Sequence, residues 1–172
     1  MGILTEAYNR HPTHEECVDA FKRYNQYLES IKQALPPGAS TFALAAWHYD
    51  MSDSRCPHDA WVEHLNIAEH SSGQRRQKRS VSLYLKLLGA NHDGMIEIRY
   101  LNVLDYTLAG GGTIDENSTD GHGDWYVDDI QLLENGRVVH EVLFQRGYRW
   151  SIECDDIIYQ WLPLRQRSKK TG

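Results

Sequence analysis

Between Cys17 and Leu35, apolar side chains recur at steps of three and four: Cys17, Phe21, Tyr24, Leu28, Ile31 and Leu35. That spacing lines one face of an α-helix and leaves Lys22, Arg23, Gln26, Glu29 and Lys32 for water, so a helix is predicted over about residues 14–35. Its start is marked as well. Thr13 and Glu16 have the spacing of a capping box, each side chain reaching the other's backbone amide. Pro36-Pro37-Gly38 ends it, since proline has no amide to continue the ladder. The same spacing suits a coiled-coil seam, but only over about three heptads, so packing on a sheet is favoured.

After the prolines the period changes to two. Residues 41–49 (TFALAAWHY) are apolar on both alternating faces and read as a strand buried on both sides. Residues 59–68 fit either a short helix or a strand; the helical stripe is interrupted, and strand is preferred. From Ser80 the alternation is plain: Val81, Leu83, Leu85 and Leu87 share one face, and Ile96, Ile98 and Tyr100 the next. Asn91-His92-Asp93-Gly94 has the residue types of a turn between them. Residues 103–108 continue the strand past a bulge, and residues 109–123, rich in Gly and Asp, form a loop.

Residues 125–133 and 138–145 flank Asn135-Gly136, a strong hairpin signal. A two-residue turn there pairs Leu133 with Val138 and Gln131 with His140, making Asp129 a diagonal neighbour of His140 on one face. Two further strands follow, broken at Asp155-Asp156. Strands joined by short turns leave no room for crossover helices, so the sheet is antiparallel. The expected fold is α+β and mostly β: an antiparallel meander, as a curved sheet or barrel-like, with one N-terminal amphipathic helix packed on it. Residues 1–162 form the single domain, and 163–172 a basic, flexible C-terminal tail.

Composition refines this picture. At 172 residues with 41% hydrophobic and 24% charged side chains, the chain has the make-up of one globular domain. Three cysteines, an odd number without a CxxC pair, suit a reducing compartment. The first residues lack a signal-peptide pattern and no apolar run spans a bilayer, so a cytoplasmic location is expected, away from membranes. The net charge of −6 is uneven. Residues 74–79 and 165–170 each hold four basic side chains and no acid; outside them, ten Lys and Arg face 24 Asp and Glu. Nucleic-acid binding by such an acidic body is disfavoured. The two basic runs read as a solvated loop and a tail, or as contacts for an acidic partner.

Candidate chemistry is thin. His48 and Asp50 would share a strand face and, with His58 and Asp59, are the candidate ligands of a divalent metal, the one cofactor the residues suggest. Yet no HExxH, HxH or CxxC occurs, so no cofactor is assigned. A P-loop, a GxGxxG turn, an EF-hand and a GxSxG elbow are absent from the sequence. Cys56, between Arg55 and His58, is the candidate thiol nucleophile. Ten tyrosines and five tryptophans against three phenylalanines are the stronger bias, since rings with polar tips suit interfaces. Trp47, Trp125, Asp129 and His140 are the candidate binding residues. The expected function is therefore a non-catalytic module binding a protein partner or a small ligand through an aromatic-rich β surface. A metal-dependent enzyme and a structural subunit of an oligomer are the alternatives.

Overall fold

The computed structural model describes residues 2–110 and 121–164. Most of the expected long loop and basic tail therefore lie outside the described residues. The described chain is mostly β with an N-terminal helical part, as its patterning predicts. Three helices come first: α1 (Ile3–Tyr8), α2 (His14–Ile31) and α3 (Pro37–Ala43). Eight strands follow: β1 (Trp61–Ser72), β2 (Lys78–Leu88), β3 (Gly94–Val103), β4 (Asp105–Leu108), β5 (Trp125–Leu132), β6 (Val138–Phe144), β7 (Arg149–Cys154) and β8 (Asp156–Pro163).

The strands form two antiparallel sheets of four, ordered β1-β2-β3-β8 and β4-β7-β6-β5, and neither closes into a barrel. The chain changes sheets twice, at Leu104 and at Asp155. These two crossings lie side by side, because Leu104 N donates to Glu153 O and Asp155 N to Leu101 O, both at 2.9 Å. Arg137 clasps this corner, meeting Asp155 at 2.6 Å and Glu153 at 3.1 Å and donating to Asn102 O. What reads in sequence as one strand past a bulge is thus two strands in two sheets. Asn102, at φ 49°, makes the bend between them.

The inner faces of the sheets meet in one core. Leu83, Leu85, Leu87, Ile96, Ile98 and Tyr100 of the first sheet face Ile130, Val142, Phe144, Trp150 and Ile152 of the second. On the far side of the second sheet α1 packs on β5 and β6, and α2 packs on α1 beside the β5 edge. The capping box of α2 is present: Thr13 Oγ1 accepts from Glu16 N and Glu16 from Thr13 N. Its buried stripe holds Ala20, Tyr24 and Leu28.

Two sequence expectations fail here. Residues 41–49 are not a strand: α3 occupies 37–43 and turns carry the chain through Tyr49. A short two-sided apolar run fits a buried helix as well as a strand, and Pro37, preset for a helix's first turn, decides it. Ala39, Phe42 and Ala43 are then buried at helical spacing. The β5–β6 register is also one residue away from expectation, with Leu132 opposite Val138 and Ile130 opposite His140. Within this turn Gly136 alone takes positive φ (81°), and Gly136 N donates to Leu133 O while Leu133 N donates to Arg137 O. The turn is a three-residue loop with a glycine bulge rather than a two-residue one. That single slip moves every side chain of β5 to the opposite face relative to β6.

Candidate functional site

Because of the slip, Asp128 rather than Asp129 faces His140 across the inner face. Asp128 Oδ2 sits 3.0 Å from His140 Nε2 and 2.9 Å from His48 Nε2, and its Oδ1 accepts from Trp125 Nε1 at 3.0 Å. His140 Nδ1 meets the Tyr100 hydroxyl at 2.8 Å, tying the second sheet to the first. His48 Nδ1 faces the Phe42 carbonyl at 3.0 Å, so α3 is tied in as well. A carbonyl only accepts, so the contact of His48 Nδ1 with Phe42 O is a hydrogen bond that the ring donates. Every polar side-chain atom of the cluster is paired.

Asp128 is 1% exposed, and His48, His140, Tyr100 and Trp125 are fully buried. Burial alone would raise the Asp128 pKa. The charge of His48 and the hydrogen bonds from His140 and His48 outweigh it and hold the carboxyl below the usual carboxylate range. Burial raises the Tyr100 phenol well above its ordinary value, which keeps it a neutral hydrogen-bonding group. Beside the cluster lies a crevice of about 20 Å³, room for about one water and no substrate. This is a satisfied polar core.

Asp129, on the opposite face, has a different task. Its carboxylate accepts from Leu4 N at 2.9 Å and Thr5 N at 2.6 Å, the first amides of α1, which has no side-chain cap of its own. Burial raises its pKa despite those bonds. Asp156 does the same for α3, accepting from Gly38 N and Ala39 N.

The proposed metal ligands do not converge. His48 points into the core, Asp50 bonds Ser52 at the surface, and the His58–Asp59 pair lies 3.1 Å apart with Asp59 also held by Gln145. Among the described residues, no three His, Cys, Asp or Glu side chains group as a metal site would require. Their expected common face disappears with the strand that was to carry it. Cys56 donates to His48 O, and burial pushes its thiol up to about 11, opposite to the direction a nucleophile needs. Of the candidate binding residues, Trp125, Asp129 and His140 are buried, so none lines an open surface. Trp47 is half-buried, its ring 4.4 Å from Tyr159 with Arg55 over it.

The tyrosine bias has a partner in the fold. Strand β5 ends its sheet, and its outward backbone groups are met by hydroxyls. Tyr49 donates to Asp128 O, Tyr24 bonds both N and O of Ile130, and Tyr27 accepts from Leu132 N.

The outer face of the first sheet is built differently. Register places His64, Asn66, Ala68 and His70 of β1 beside Ser80, Ser82, Tyr84 and Lys86 of β2, then Glu97 and Arg99 of β3. The Tyr84 ring lies 6.0 Å from that of His64, and the Arg99 guanidinium 5.7 Å from its centroid. His70 Nε2 bonds Ser82 Oγ at 2.7 Å. Together with Asn66 and Asn102 these side chains line a groove of about 680 Å³ on the open face. No sequence motif marks this surface; the signal was the alternation of polar residues along residues 64–86.

Comparison with known proteins gave no match: no family model, curated protein or solved structure matches the chain. Among the described residues, no helix is long and apolar enough to cross a membrane.

Proposed function

We propose that the protein is a non-catalytic binding module whose surface is the outer face of β1, β2 and β3. The observation that carries this reading is the groove itself, which presents Tyr84 between His64 and Arg99 with His70 and Asn102 beside it. An aromatic ring among hydrogen-bonding and cationic side chains suits a ligand that brings negative charge. Sign of charge supports the same reading. The β1–β2 hairpin carries five Lys and Arg against two Glu, within a chain whose net charge is −6. Association with an anionic surface is therefore steered to this face, while the acidic remainder repels nucleic acid. Three unpaired cysteines support a reducing, cytoplasmic setting.

Amide and side-chain NMR of the labelled full chain, titrated with oligoglutamate, tests the reading. Shifts gathered at His64, Tyr84 and Arg99, abolished in Arg99→Glu, are expected. Shifts scattered over the surface, or none at these residues, overturn it.

A further inference from the structure

The four sheet edges are treated unequally. The edge at β5 is closed by the hydroxyls of Tyr24, Tyr27 and Tyr49. The edge at β8 is covered by α3, whose Gly38 sits so close that an added Cβ would lie 2.2 Å from Ile157 O. The edge at β4 is four residues long, too short to template a partner. The edge at β1 is twelve residues long and, among the described residues, is tied down only at its base, where Asp59 N donates to Trp125 O and Trp125 N to Ala60 O. Past a bulge between Val62 and His64 the strand pairs regularly with β2 through Ser72. Among the described residues, no hydrogen bond reaches its outward side. No proline interrupts residues 61–72.

Resting on the binding reading above, we propose that this edge takes an added strand from a partner protein, an extended segment in which acidic residues alternate with branched apolar ones. A strand laid along β1 continues both faces of the sheet, and its side chains alternate between them. On the outer face its neighbours are His64, Asn66, Ala68 and His70, with Tyr84, Arg99 and Lys78 on the strands behind. That row calls for carboxylates. On the inner face its first neighbours are Leu65 and Ile67, followed by Glu69, which is paired with Arg79; Ile67 is 40% exposed although the residue opposite it, Leu83, is fully buried. The first two positions call for Val or Ile. Beyond the last pair the hairpin tip adds Arg75 and Arg76 to hold an acidic flank.

The test uses the full chain and three synthetic peptides of one composition: an alternating Glu/Val strand, a block Glu-then-Val sequence, and the alternating strand N-methylated at every second residue. The alternating peptide should protect β1 amides between His64 and Ser72 from hydrogen exchange and bind about tenfold or more tightly than the other two. If all three shift Tyr84 and Arg99 equally without protecting β1, the edge inference fails while the face reading stands. If none touches Tyr84 or Arg99, both fail. A β1-mediated dimer seen by sedimentation, or a single-stranded oligonucleotide of equal charge competing for the site, also overturns it.

Discussion

The Tyr24 hydroxyl accepts from the Ile130 amide at 2.7 Å and donates to the Ile130 carbonyl at 3.3 Å, taking the place of a neighbouring strand beside β5. One phenol on a helix thereby satisfies both buried backbone groups of an edge residue. Tyr24→Phe keeps the ring and removes both bonds, leaving an amide and a carbonyl buried without partners. A loss of about 1–3 kcal/mol is expected. Urea unfolding measures the loss, and amide exchange at Ile130 should accelerate more than at Leu83. Equal stability of the variant would show that water replaces the hydroxyl.

Asp128 governs how stability responds to acid. Its folded pKa is depressed below the unfolded value, so its contribution is complete above about pH 4 and is lost as pH falls. Asp129, raised by burial, works in the opposite direction: its ionisation costs stability, and protonation on acidification relieves that cost. Asp128→Asn should destabilise the protein at pH 7 by about 3–5 kcal/mol, because His48 and His140 lose their buried charged acceptor. It should also flatten the fall of the urea midpoint below about pH 4. An unchanged acid slope in the variant would assign that slope elsewhere.

Gly38 and Gly136 separate close approach from backbone strain. At Gly38 a methyl group meets the Ile157 carbonyl, a backbone atom that cannot step aside without moving α3 off β8. Gly38→Ala should cost about 1–3 kcal/mol and loosen α3. Gly136→Ala meets open space and should cost about 1 kcal/mol through its positive φ alone. Chemical denaturation with near-UV circular dichroism distinguishes them, since only the first should change the environment of Tyr159, which stacks on Phe42 of α3.

The outer half of the β1–β2 hairpin is separable from folding. Residues 71–79 are exposed and contribute nothing to the core. Replacing residues 70–80 with Asn-Gly should leave stability within about 0.5 kcal/mol while weakening binding of an acidic peptide. A large loss of stability would contradict this division between core and surface.

What sequence patterning makes legible follows from period and caps. Helix α2 declares itself through its stripe and the Thr13–Glu16 box, and β2 and β3 through alternation of the buried set from Leu83 to Tyr100. Helix α1 is too short for periodicity, and its cap is a carboxylate distant in sequence, Asp129. The Asp128 cluster stayed hidden because it depends on a register that Asn135-Gly136 does not determine by type alone. One residue of slip exchanged Asp128 for Asp129 as the partner of His140. Likewise the tyrosine excess was visible, but its use as a seal on β5 required knowing which strand lies at the edge.

That seal bears on stoichiometry. A sheet protein with two available edges can pass strand pairing from molecule to molecule and grow into a filament. Among the described residues the phenols of α2 and Tyr49 close one end, α3 another, and brevity a third, which leaves β1 as the one long open edge. On the proposed reading, a complex formed through β1 should stop at one partner per chain, and titration with a strand peptide should saturate at one to one.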